Sequence, residues 1–236
     1  MAGLNKHLNW IHTQIDGDIV IMCSADDLNH ADRAKYTVEA FEQHNPSYVG
    51  TGVQYCDADL QWRGEITAYS KDGKIVEEDG WVEPVQCINE LIGSSASSAW
   101  ARDLWDKFGP LRGIESQDMM LPIMALMERG LWYVAKHLHC YIRHADLNNT
   151  GLEGCMKAAE TDDDKLAWTE LVNFHCTDHY FAILRKITEM QEKGKFEVPG
   201  DIYNAIVEKA FHSANLWSMA RENVIMAKVQ PKMMRI

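Results

Sequence analysis

The sequence predicts an α/β fold, and three observations predict it. The run from Asp18 to Cys23 is short and continuously apolar after its first residue, as in a strand buried on both faces of a parallel sheet. Strand-like and helix-like segments then alternate as far as Ile142. Beyond Gly154 the pattern changes to two long helical stretches, a hairpin able to fold back on the domain or onto a partner. The chain therefore divides into residues 1–154 and an extension, 155–236.

Each element has a local reason. After the apolar run, Ala34, Val38 and Phe41 recur at helical spacing and predict a helix over Asp32 to Glu42, stopped by Asn45-Pro46. Ser47 to Tyr55 reads as a second strand. Residues 56–80 are acidic and punctuated by Gly64, Gly73 and Gly80, which predicts a hairpin excursion. Short helices over 83–92 and 100–108 flank a loop of small residues, Gly93 to Ser98. Asp118 to Glu128 suits an apolar helix ended by Arg129-Gly130, and Trp132 to Ile142 a further strand. In the extension, Thr161 followed by Asp162, Asp163 and Asp164 marks a helix start, with acids on the positive end of the dipole. Leu171, Phe174, Phe181, Leu184 and Ile187 form its predicted apolar stripe, and Pro199-Gly200-Asp201 opens a second helix running to about Lys228.

Composition narrows the function classes. With 236 residues, 46% hydrophobic and 25% charged, the chain is an ordinary globular one and not disordered or low-complexity. A net charge of −12 argues against nucleic acid as the main partner. The acid is concentrated in front: residues 1–150 carry 12 Lys and Arg against 22 Asp and Glu, whereas 151–236 carry 11 against 13. An anionic ligand bound by the front portion would therefore call for a cation. No apolar run approaches the ~20 residues of a membrane-spanning helix, and the N-terminus has no signal-peptide core. Six cysteines without a CxxC pair read as reduced thiols in a cytoplasmic protein.

The most informative segment is Gly17-Asp18-Ile19-Val20-Ile21-Met22-Cys23-Ser24-Ala25-Asp26-Asp27, a strand running into acids. Ligands of open α/β sheets sit beyond the carboxyl ends of the strands. Adjacent carboxylates there repel one another, yet they suit a hard divalent cation such as Mg²⁺ or Mn²⁺, which takes oxygen ligands and bridges to phosphates. The same pair also suits the start of the helix near Asp32, and the residues alone leave both readings open.

In order and spacing, the segments of residues 3–150 resemble the inverting family 2 glycosyltransferases of the GT-A fold. Gly17, Asp18, Asp26 and Asp27 match the family's Gly-Asp, apolar stretch, Asp-x-Asp-Asp pattern, and Gly3 and Asn9 its preceding helix. Asn45-Pro46, the stretch from Ser97 to Leu104 and Phe108-Gly109-Pro110 follow in the expected order. Glu115-Ser116-Gln117-Asp118 looks like the catalytic step, and Tyr141-Ile142-Arg143-His144, with Asn149-Thr150 after it, like the closing motif. Two departures stand out. Ser24 replaces the usual first Asp, and the opening nucleotide-binding strand-helix units have no counterpart.

The resemblance implies a GT-A-like, Rossmann-like mixed sheet, shortened at its N-terminus. It also implies sugar transfer with inversion from a nucleotide-sugar donor to a saccharide-type acceptor. Asp118 would be the general base with Glu115 as the fallback, Ser24, Asp26 and Asp27 would face the donor, and Asp26 with His144 would hold Mn²⁺ or Mg²⁺. A non-catalytic binding or assembly module and an unrelated metal-binding α/β domain are the competing classes. Weaker candidates are the pairs His175/His179 and His137/His139 for a metal, and Trp100 and Trp105 as a sugar platform. Self-association is expected through the sheet edge left open beside residues 18–23 or through the helical hairpin.

Overall fold

The computed structural model describes residues 2–233 apart from 26, 58, 60, 68–69, 72–73, 90–94, 113–116, 144–161 and 196. In chain order, α1 (Ala2–Gln14) leads into β1 (Ile19–Ile21) and β2 (Leu28–Asn29), and α2 (Arg33–His44) into β3 (Tyr48–Asp57). The excursion contains β4 (Trp62–Thr67), β5 (Ser70–Lys71), β6 (Lys74–Ile75) and β7 (Gly80–Trp81). Then come α3 (Pro84–Asn89), a 3-10 turn (Ser95–Ser97), β8 (Ser98–Ala101), α4 (Arg102–Phe108), α5 (Gln117–Leu126) and β9 (Leu131–Arg143). The extension is α6 (Asp162–Glu192) and α7 (Gly200–Met233).

A mixed sheet in the order β1-β8-β3-β9-β2 organises the fold, with β4 beside β3 and β7 beside β9. The central pair, β3 and β9, is parallel from Tyr48↔Leu131 to Asp57↔Arg143, and its neighbours are antiparallel. Register slips on either side of Gly52, which faces His137. A Cβ at Gly52 would come 2.6 Å from the His137 ring and 3.2 Å from the Lys136 carbonyl, so glycine is what lets the strands close there.

Both faces of the sheet are covered. On one, α2 sets Ala40 and Phe41 against Val49, Ala99, Ala101, Val134 and Leu138. On the other, the larger core joins Leu8 of α1, Trp105 of α4, the apolar length of α5 and Ile183, Ile187 and Ile206 of the hairpin. Asn45 ends α2 in the left-handed region at φ 51°, returning its N–H to the Phe41 carbonyl, so the Asn-Pro stop works as the sequence predicts.

Four local expectations are corrected. The strand at Asp18 to Cys23 is shorter, antiparallel to β8 and half-buried at the sheet edge, because only one side of it is paired. Ser98 to Ala101, read as loop and helix, is a fully buried strand. Its small residues and the helix directly after it hide the strand signal. In α6 Ile187 and half-buried Leu184 face the core as expected and are joined by Ile183 and Met190, whereas Phe174 and Phe181 are exposed. Finally, Cys56 and Cys140, read as thiols, are joined in a disulfide across β3 and β9, whose register sets Gln54 opposite Cys140. Cys23, Cys87 and Cys176 are free, and burial pushes the Cys87 thiol up to about 12. The helix start at Thr161 lies outside the described residues.

Candidate functional site

The chain leaves β1 at Ile21 and reaches β2 at Leu28, crossing from one edge of the sheet to the other. This crossing carries Ser24 and Asp27 and lands beside the carboxyl end of β9. Both oxygens of Asp27 are engaged there: Ile142 donates its N–H to Oδ1 at 3.0 Å, and His139 Nε2 lies 3.2 Å from Oδ2. The pair is sealed from water, with the His139 side chain fully buried and that of Asp27 3% exposed.

The ring of His139 is held from its other side as well. Its Nδ1 lies 3.2 Å from Asn29 Oδ1, which also accepts from Arg33 Nη1. The guanidinium fixes the Asn29 oxygen as an acceptor, and the His139 ring spans from that oxygen to the Asp27 carboxylate, one nitrogen on each. Arg33 is buried and extends the network by donating Nη2 to the Ser98 carbonyl at 3.2 Å. The acidic crossing is thus tied through Asn29, Arg33 and His139 to α2, β8 and β9. His137 and His139 part company: His139 is buried while His137 is exposed. Pairing of His139 with Asp27 is invisible in sequence, since 112 positions separate them.

Asp118 lies in the first turn of α5 and is half-buried. Tyr48, at the head of β3, is buried, which raises its phenol pKa, and the Asp118 charge nearby adds to the rise. Asp118 thus sits on α5 near the head of β3, and Asp27 beside the end of β9. Ser24 is half-buried on the crossing. Asp26, Glu115 and His144 lie outside the described residues, as does the closing Asn149-Thr150. Among the described residues no group of three His, Cys, Asp or Glu side chains is placed to hold a metal ion. Those donors do not by themselves make a cation site.

Trp100 and Trp105 serve the core and not a sugar. They are 1% and 6% exposed, and His12 stacks on Trp105 with ring centres 3.8 Å apart. Trp100 Nε1 donates to His12 Nε2 at 3.2 Å, so that nitrogen is an acceptor and the ring is neutral. Burial lowers the His12 pKa to about 4, opposed by Asp106 and assisted by Arg102. Asn9, on the same helix, bridges to Leu111 by donating Nδ2 to its carbonyl at 2.9 Å and accepting its N–H on Oδ1 at 3.0 Å.

Fold and site together define a mixed α/β domain with an acidic crossing at the carboxyl ends of its central strands, buttressed by a helical hairpin. No family model and no curated protein matches the chain. Solved structures of S. aureus TarS are similar to it at low identity. Residues 1–349 of TarS with UDP-GlcNAc share 13% identity over 93% of this chain and 60% of that one, with a TM-score of 0.48. The same TarS segment with UDP gives 12% identity, 77% and 49% coverage and a TM-score of 0.46. Without ligand it gives 13%, 96% and 71%, and 0.48. This chain thus spans about three-fifths of the TarS chain solved with UDP-GlcNAc. Among the described residues no helix is long and apolar enough to cross a membrane.

Proposed function

We propose that the chain is a glycosyltransferase module taking a nucleotide-sugar donor and a saccharide-type acceptor. The observation that supports this reading most is the acidic crossing, which carries the family-like motif and reaches the carboxyl end of β9. In this reading Asp118 takes the proton of the acceptor hydroxyl as the oxygen attacks the sugar with inversion, and Glu115 is the alternative base. Ser24 and Asp26 face the donor diphosphate. Asp27, committed to His139 and Ile142, fixes the loop that presents them. A divalent cation, Mn²⁺ or Mg²⁺, belongs to this reading through Asp26 and His144, and it would offset charge on the departing diphosphate.

Thermal-shift titration with UDP-, GDP- and dTDP-sugars in the presence of Mn²⁺ tests the proposal. A donor at 100 times its Kd adds about 2.7 kcal/mol of stability. Asp26→Ala should abolish that gain. Asp118→Asn should keep it while lowering turnover ~10²-fold or more. Internal use of both Asp27 oxygens favours a second reading, a non-catalytic binding or assembly module. The absence of any donor-induced shift, with the fold intact, would select it.

A further inference from the structure

Among the described residues one side of β1 is unpaired, and it opens into a groove of about 590 Å³ whose walls include Leu8 and Ile11 of α1, Ile15 after it, Ile19 and Ile21 of β1, and Trp100 of β8. Arg102 donates its N–H to the Asp18 carbonyl at 2.8 Å, and Met22 donates to the Ser98 carbonyl at 3.0 Å. Antiparallel pairing alternates, so the main-chain groups of Asp18, Val20 and Met22 turn toward β8 and those of Ile19 and Ile21 turn away into the groove. An edge of this kind, apolar in its side chains, is a template for another strand.

We propose that this edge is a homodimer interface in which β1 of one copy pairs antiparallel with β1 of a second about a two-fold axis at Val20. The strand is self-complementary in this register. Ile19 of one copy falls opposite Ile21 of the other, so outward donors meet outward acceptors in both directions and the half-buried isoleucines pack across the seam. Charge agrees with the register. Asp18 falls opposite Met22 and Asp16 opposite Ser24, so the acids flanking the strand do not face their own copies. A strand this short is well below the ~800 Å² per partner of a stable interface. Ile11 of α1 and Ile15 just after it, both in the groove wall, supply apolar surface to extend it. The net charge of −12 on each copy opposes association at long range, so salt strengthens the dimer.

Sedimentation velocity of the full chain from dilute to concentrated solution, with hydrogen exchange read at each β1 amide, tests this. The expected result is a monomer–dimer shift. The Ile19 and Ile21 amides should gain roughly tenfold or more in protection as the dimer forms, while Val20 and Met22 remain protected throughout. Ile21→Pro removes only an outward N–H in the monomer, as edge strands tolerate, and should leave a folded monomer at every concentration. Three results would overturn the proposal: a monomer in which Ile19 and Ile21 exchange freely, a monomer in which both are protected at all concentrations, and a dimer that survives Ile21→Pro. The first leaves the edge open, the second assigns it to another part of the same chain, and the third moves the interface elsewhere, such as to exposed Phe211 on α7.

Discussion

Two buried histidines stand in opposite environments. His139 is enclosed by a carboxylate, an amide and, one step away, a guanidinium, and its ring holds the acidic crossing onto β9. His12 is enclosed by two indoles and accepts one hydrogen bond, and its ring holds α1 onto the core. The first is held by polar partners and the second by aromatic ones. The same side chain therefore ties down one end of the sheet with electrostatics and the other with stacking, and the two ties fail under different conditions.

Removing the partner of His139 separates them most sharply. Asp27→Ala leaves the imidazole without its hydrogen-bond partner and the Ile142 N–H without an acceptor in a sealed site. The expected loss is about 1–3 kcal/mol for each of the two buried groups left unsatisfied, measured as the shift in a urea unfolding midpoint. A loss under about 1 kcal/mol would show that water or a neighbouring group replaces the carboxylate.

Acid probes the other histidine. Folded His12 titrates near 4 and an unfolded histidine near 6.5. Above pH 6.5 both states are neutral and the shift has no effect on stability. As the pH falls from 6.5 toward 4 the unfolded chain binds a proton that the native ring refuses, and stability is lost. The full loss is of order 3 kcal/mol by linkage. Comparing unfolding free energies of the parent and His12→Phe across that window isolates this contribution from the carboxylates, and the variant should show the shallower decline. Parallel curves would mean that His12 takes up its proton in the folded state.

The smallest effect comes from Asn9, which secures the same helix by a paired amide contact to Leu111. Asn9→Ala should cost about 1–2 kcal/mol and loosen α1, read as faster amide exchange over Ala2–Gln14 with the exchange of β9 unchanged. Equal acceleration in β9 would show that α1 and the acidic crossing open together.

Local chemistry was legible in the sequence and partnership was not. The Asn45-Pro46 stop, the β3 and β9 segments and the helical hairpin each carry their signal within a few residues. The edge position of β1 depends on what lies beside it, and an apolar Ile-Val-Ile reads alike in a central or an edge strand. Ser98 to Ala101 became a strand because β1 and β3 flank it, not because Ser-Ala-Trp-Ala favours one. At the candidate site, Asp27 was singled out for its acid and its place after a strand. His139, Asn29 and Arg33 were legible only once the β9 register was known, and Cys56 with Cys140 for the same reason.

The parallel pairing of β3 with β9 also constrains how the chain is made. During vectorial synthesis β1 has no neighbour until β8 has emerged, and β3 lacks its parallel partner until residue 143 has been added. At roughly 5–20 residues per second that interval lasts several seconds, during which β4 can pair with β3 but its β9 edge stays open. The nascent chain therefore offers this one edge of β3 to chaperones before it can offer it to β9.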